Sequence, residues 1–556
     1  MKKYLGKLVK VLLITALCPV MQSCFNLDEE WYSEVTPDTF FTTKENIYSV
    51  ANRPFTHSCW YEGLDRWFIQ EYTADQMIQP QRGNDWYDGG SYHRLQHHEW
   101  TSDSDHIWHA WRGTGMGISL AMECKKDLEA LDYEKFGLTE ADKQDHLNQM
   151  NALMGYFYLR ALDFFGAFPI VEDPLDEVEA RSTDTKVFAK AESLLKDAIS
   201  KMYVSTSAAP IKYTLSQGAA AALLARLYFN AEAYIGEPMF DKAAEICEDI
   251  LDGNYGDYAL GKTWNDAFSL TNDESTAIIW SHPSQFNYNE NNWWYRYTHH
   301  KNMVQYFGID NVSSYNGHGL TPSRRPDGTL YTEWKLGNTY EKFNDADLRK
   351  KQYVYKGGTE YEGMFLVGDQ KMPNGTIIKG NKEYSGKQLS FVDYVGLMSS
   401  GANPSTLRST ISDGEENSCI RPVKIPIASD DAYRWASDVV VIRLEEIYYM
   451  LAECKFREGD KAGAAKLINQ VRRRAFEGYN DPDPVTAENL DKYRLIDEWG
   501  IEFLCEGRRR TDLIRWDMFV TEDWWDHKAS NDRSKHRFPV PSLALAGNNN
   551  LAKEPM

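Results

Sequence analysis

The chain reads as a mainly α protein, a scaffold of tetratricopeptide-like helix pairs carrying long irregular, loop-rich excursions. Three observations predict it. Residues 147–165, 184–202, 214–234, 239–252, 438–458, 460–476 and 487–507 repeat apolar side chains at three- and four-residue spacing, the period of a helix with one buried face. Ala452 and Ala464 lie twelve residues apart with Gly459 between them, the spacing at which two antiparallel helices touch through small side chains around a tight turn. Residues 54–112 and 253–436 lack that period and are crowded with Gly, Asn, Pro, Tyr and Trp. Long irregular stretches in a folded protein are commonly functional, and this aromatic content argues against disorder.

From the N-terminus, Lys2, Lys3, Lys7 and Lys10 flank an apolar run from Val11 to Val20. It is too short for a bilayer-spanning helix of about 20 residues and suits a secretion signal. Met21-Gln22-Ser23-Cys24 resembles a bacterial lipobox, whereas bulky Leu17 makes Cys18 the poorer acceptor. Residues 1–23 are therefore expected to be a lipoprotein signal peptide, Cys24 the lipidated first residue, 24–34 a tether and 35–556 the globular unit. Cleavage would remove four Lys and no acid, taking the formal charge from -21 to -25. Within the globular unit the helical repeats are expected mainly over 140–252 and 437–516. Phe240 to Glu245 reads as the second helix of a pair whose first spans Ala222 to Tyr228.

The balance of 61 basic against 82 acidic side chains excludes nucleic acid as a partner, because such binding draws its affinity from cations that neutralise phosphates. Seventeen Trp, 33 Tyr and 24 Phe exceed what a core needs, so some are expected to serve recognition at a surface. Outside the leader, Cys59, Cys124, Cys247, Cys419, Cys454 and Cys505 form no Cys-x-x-Cys pair, which gives no support to a zinc ribbon or a redox site. Cys247, Cys454 and Cys505 fall in helical segments as buried thiols, and the spacing leaves disulfide pairing open. His93, His97, His98, His106 and His109 are dense but lack a paired ligand pattern, so neither a metal nor a cofactor is expected.

Two stretches combine flat aromatic faces with planar polar groups, the pairing that suits a sugar, whose C–H face stacks and whose hydroxyls need partners. The first is Arg82, Asn84, Asp85, Trp86 and Tyr87; the second is Trp293, Trp294, Tyr295 and Tyr315. Adjacent Trp293 and Trp294 point apart, so only one can be a platform. The plainer reading has Arg82 and Asp85 pairing to brace the turn before Gly89-Gly90, with Trp86 as a core plug.

Four blocks then resemble one family in its own order. They are Leu27-Asp28-Glu29 with Thr36 to Phe41; Asp75 to Gly90 followed by His98 and Trp100; Leu159-Arg160-Ala161 with Phe165 to Pro169; and Glu498 to Trp516. Together they are similar to the SusD/RagB family. The resemblance implies an α-rich fold with four tetratricopeptide-like helix pairs, no catalysis and no cofactor. It also implies a lipid-anchored outer-membrane protein facing the cell exterior, which captures an oligosaccharide or polysaccharide for a SusC-like TonB-dependent transporter that it covers as a lid. In that family, sugar contacts come from the first loop, where Asp75, Arg82 and Trp86 match. Two other classes compete. A helical glycoside hydrolase needs two carboxylates about 5 to 9.5 Å apart, and Glu498, Glu502 and Glu506 fall at i, i+4 and i+8; the bland alternative pairs them with Arg508, Arg509 and Arg510. A protein-only repeat adaptor would leave the aromatic loops unexplained.

Overall fold

The computed structural model describes residues 37–285, 294–303, 314–372, 374–429, 433 and 436–556. The expectations for residues 1–36, including Cys24 and the leader, lie outside the described residues. The chain divides into Met1–Ile47 and Tyr48–Met556. Described from Pro37, the smaller unit shows a helical turn, Pro37–Phe40, and an Asn46 side chain that accepts the Thr42 and Thr43 backbone N–H groups at 3.3 and 3.0 Å.

The helices that matter here are α1 (Lys44–Tyr61), α2 (Asp65–Glu71), α3 (Asp105–Glu129), α4 (Glu140–Phe165), α5 (Asp184–Ile199), α6 (Gln217–Phe229), α7 (Phe240–Leu251), α8 (Trp294–Thr298), α9 (Leu444–Arg457), α10 (Lys461–Arg472), α11 (Lys492–Glu502) and α12 (Arg509–Arg515). Each of α3 to α6 packs on the next, α7 packs on α9 and α9 on α10, so a succession of packed helix pairs builds the scaffold. Local chemistry sets their ends. Thr139 and Asp142 form a reciprocal capping box at the start of α4, and Gly166 ends it at a φ of 68°. Ser216 caps α6, whose residues 218–225 are all buried because Ala at five of them lets neighbouring helices close in from every side. Between α9 and α10, Gly459 turns the chain at a φ of 93° and Asp460 accepts the Gly463 N–H at 2.8 Å. Ala452 and Ala464 are both fully buried, as the twelve-residue spacing predicted.

Two expectations change. The stretch 54–112 is substantially helical: α1 runs through Pro54, and α2, a short helix at Ser91–Gln96 and the start of α3 follow. Glycines of α3 are there to be packed against. A Cβ on Gly117 would stand 2.3 Å from the Phe157 ring of α4, and one on Gly113 would stand 2.8 Å from Tyr61. The second change is at 438–458, where the helix begins only at Leu444. Val439–Arg443 is a strand, because a run of β-branched Val439, Val440, Val441 and Ile442 favours extended backbone.

The strands used below are β1 (Met77–Ile78), β2 (Ile278–His282), β3 (Gly319–Leu320) and β4 (Val439–Arg443). All pair in antiparallel two-stranded ladders, β1 with β3 and β2 with β4. Residues 253–436 carry such short ladders and single 3-10 turns over small cores, among them one around Tyr353, Leu366 and Phe391 and another around Ile78, Tyr331, Ile411 and Trp525. Cys59, Cys124, Cys247, Cys419, Cys454 and Cys505 are all free thiols. No helix among the described residues is long and apolar enough to cross a membrane.

Candidate functional site

Reciprocal backbone bonds between Arg82 and Asp85, 2.9 and 3.1 Å, close a tight turn with Gly83 at a φ of 61°. Trp86 follows at a φ of 67°, a left-handed conformation that only a fixed surrounding sustains in a bulky residue. That turn throws the indole onto residues 315–317. Its Nε1 donates to the Tyr315 carbonyl at 3.2 Å, and a Cβ on Gly317 would stand 3.1 Å from Cζ2, so glycine there lets the indole lie against backbone. The two stretches singled out in the sequence therefore meet in one place, through residues 229 positions apart.

Tyr297, on α8, joins them. Its ring centroid lies 5.7 Å from Trp86, 5.5 Å from Tyr315 and 6.0 Å from His318, on which it stacks at 13°. Tyr92 closes the side at 6.0 Å from Trp86. Trp86, Tyr297 and Tyr315 are half-buried, Asn84 is exposed, and Tyr87 is 51% exposed with its ring edge on His93. The result is a cluster of half-buried aromatic rings. Tyr297 was missed in the sequence although the aromatic run at 293–295 continues to it. Trp293 and the side chains of Trp294 and Tyr295 lie outside the described residues.

Beneath the platform, buried groups hold the backbone in place. Arg82 is fully buried and donates to four carbonyls: Pro80 at 3.3 Å, Glu415 at 3.1 Å, Ser418 at 3.2 Å and Gly317. Burial pushes its pKa down to about 10. Arg421, also buried, donates to the His318 carbonyl at 3.1 Å and to Asn316 Oδ1 at 3.0 Å. Glu416 accepts from His300 Nε2 at 2.9 Å and from the backbone N–H groups of Asn381, Lys382 and Tyr384 at 2.6 to 3.0 Å, which ties residues 381–384 to the site. Burial raises the Glu416 carboxyl, but His300 and those N–H groups outweigh it and hold it at about 2. At the rim, Asp85 sits between Lys301, at 3.4 Å, and Lys382; despite partial burial, both lysines hold its carboxyl below the usual range.

This geometry changes the assignment of two candidate residues. Asp75 is buried and takes a bidentate grip from Arg509, 2.6 and 3.0 Å, plus the Gly337 N–H at 2.9 Å, so no oxygen is offered to a ligand. Arg82 is likewise an internal brace, and what it braces is carbonyls of distant segments. Asp85 answers Lys301 and Lys382, not the Arg82 side chain. Trp86 is half-buried with its indole tied to the Tyr315 carbonyl, so it is not a core plug.

The rival chemistries find other structures. Glu498 pairs with Arg472 and Arg494, both at 2.9 Å. Glu502 pairs with Arg443 at 2.8 Å and Arg349 at 2.9 Å, and Glu506 with Lys424 and Arg443. Helix α11 ends at Glu502, so Glu506 is not on it. Burial raises the Glu502 carboxyl, but Arg443, Arg349, Arg474 and Lys424 outweigh it and hold it at about 2, too low for a general acid at neutral pH. Arginines do lock this triad, although Arg508, Arg509 and Arg510 face Glu446, Asp75 and Asp163 instead. The histidines are dispersed as well. His106 and His109 both bond Asp65, at 2.5 and 2.9 Å, His97 bonds Asp526 at 3.3 Å, and His98 bonds the Thr73 carbonyl at 2.7 Å. Among the described residues no three His, Cys, Asp or Glu side chains are grouped to hold a metal.

Comparison with known proteins gives the same frame. The chain is 25% identical over 442 residues to the starch-binding protein SusD of Bacteroides thetaiotaomicron, covering 75% of this chain and 74% of that protein. It is 30% identical over 135 residues to the SusD-like protein P25 of Formosa agariphila, 22% of this chain and 25% of that one. In fold it is similar to surface glycan-binding protein A from Bacteroides uniformis, with a TM-score of 0.63 at 16% identity over 92% of this chain and 99% of that one. The same protein from Bacteroides thetaiotaomicron, solved with laminarihexaose, gives the same TM-score, identity and coverage. Residues 261–554, more than half of the chain, match the SusD family model, and the chain therefore belongs to the SusD family.

Proposed function

We propose that this protein is a cell-surface glycan-binding lipoprotein, which captures an oligosaccharide or polysaccharide on the Trp86, Tyr297 and Tyr315 platform and delivers it to a partner SusC-like TonB-dependent outer-membrane transporter. Membership of a family of carbohydrate-binding, non-catalytic proteins associated with the outer membrane supports the first half of that reading. One observation carries the site: two aromatic stretches far apart in sequence converge through the Trp86 indole on the Tyr315 carbonyl, and leave their rings half open. Asn84, Asp85 and Tyr87 stand at the same turn and supply planar and hydroxyl partners for sugar hydroxyls. Residues 1–23 act as leader and Cys24 as the lipid anchor, which holds the body outside the cell; the -25 charge of that body gives it no attraction of its own to an anionic membrane.

The test is calorimetric titration of purified protein against neutral and acidic glycans of plant, host and microbial origin, with a parallel assay for released reducing ends. Binding without turnover is expected, and Trp86→Ala should weaken it at least tenfold, about 1.4 kcal/mol. Turnover abolished by one carboxylate substitution would establish the hydrolase instead. Co-purification with a large outer-membrane barrel tests the delivery step.

A further inference from the structure

We infer that the cleft between residues 333–335 and 521–528 is a second carbohydrate subsite, which engages the same polysaccharide chain as the Trp86 platform; the inference rests on the glycan-binding reading above. The cleft has a volume of about 660 Å³ and is lined by Glu333, Trp334, Lys335, Glu522, Asp523 and Lys528, with Thr521 at its edge. That volume falls in the usual range for small-molecule sites, about 300 to 1,000 Å³.

Trp334 is the reason to read it as a sugar site. Its ring is half-buried: one side packs on Tyr331, 5.0 Å between centroids, and on the small core of Ile78, Val395, Ile411, Cys419 and Trp525. A Trp fixed from behind and open in front offers a stacking face at little cost in side-chain entropy. Opposite it, Asp523 is held by the Ala529 N–H at 2.8 Å and by Lys528 at 2.7 Å, and Glu522 by the Tyr493 hydroxyl at 2.8 Å. Carboxylates and lysines set in this way pair with vicinal hydroxyls as acceptors and donors. The cleft mixes both signs, so it suits a largely neutral chain better than a polyanion.

The two platforms share a support. Ile78, beneath Trp334, is in β1, and Gln79 next to it lies under Gly317 of the first platform. Its partner strand β3 continues directly from residues 315–318. The ladder therefore links the backbone beside Gly317 to the small core that carries Trp334, and a chain long enough to reach both would gain affinity by engaging both.

The experiment compares matched pairs, laminarihexaose with laminarin and maltohexaose with amylose, on the full chain by calorimetry. Trp334→Ala should weaken the polymer that binds at least fivefold and leave the short oligosaccharide within twofold. Because Trp334 also packs on a core, Thr521→Trp, a substitution at an exposed position that fills the cleft, should reproduce the loss with an unchanged unfolding midpoint. Unchanged polymer affinity in Thr521→Trp overturns the subsite while the first platform stands. A wild-type chain that binds neither member of either pair refutes the parent reading for these glycans, and the subsite with it.

Discussion

Replacing Arg82 by Met separates a brace from a ligand contact. The substitution removes the donors to the carbonyls of Pro80, Gly317, Glu415 and Ser418. Each stranded buried acceptor costs about 1 to 3 kcal/mol; the Glu415 carbonyl keeps the Ser418 N–H at 3.1 Å, so three are stranded, at about 6 kcal/mol in the middle of that range. Methionine recovers part of it, since the burial that pushes the Arg82 guanidinium down to about 10 marks a charge penalty of about 3 kcal/mol. The net expectation is a loss of about 3 kcal/mol, at the upper end of the usual range for a single substitution. Urea unfolding followed by tryptophan fluorescence reads it as a clear fall in midpoint, and glycan affinity should fall with it because residues 315–317 lose their anchor. If Arg82→Met lost glycan affinity at an unchanged midpoint, Arg82 would be a sugar contact and the brace reasoning would be wrong.

Three further outcomes are expected. Glu416 has its carboxyl held at about 2 against an ordinary 4.5; a depressed carboxylate contributes its stability, about 3 kcal/mol, in full above pH 4.5, and loses it as pH falls from there toward 2. Glu416→Gln should therefore flatten the acid limb of a urea-midpoint profile taken from pH 6 to pH 3, and an unaltered limb would locate that sensitivity elsewhere. Glu502→Gln breaks a buried cluster with Arg443 and Arg349 and should cost about 3 to 5 kcal/mol, read as a lower unfolding midpoint, without changing any reducing-end signal. Cys24→Ala should release the protein from membranes, and intact-mass analysis of the wild type should show a diacyl or triacyl addition on Cys24.

The sequence by itself determined the scaffold and the kinds of residue proposed for recognition. Apolar period, the Ala452–Gly459–Ala464 spacing and capping residues such as Asp460 act within a few residues of chain, so they are legible without the fold. The same locality explains the two misreadings. The Gly, Asn, Pro and Trp of 54–112 read as loop because the partners that hold its helices, such as Gly113 under Tyr61, lie outside the local sequence. Val439–Ile442 continues a helical period, yet finds its partner in residues 278–282, about 160 positions earlier. Tertiary structure alone decided what Asp75 and Arg82 do. Both have the polar chemistry of a sugar contact, and both are consumed by long-range partners, Arg509 in one case and the carbonyls of residues 317, 415 and 418 in the other. It also decided that Trp86 meets Tyr315, and that Tyr297 completes the platform. A hydrogen bond between residues 229 positions apart leaves no periodic trace in a sequence, because its register is set by the packing of everything between them.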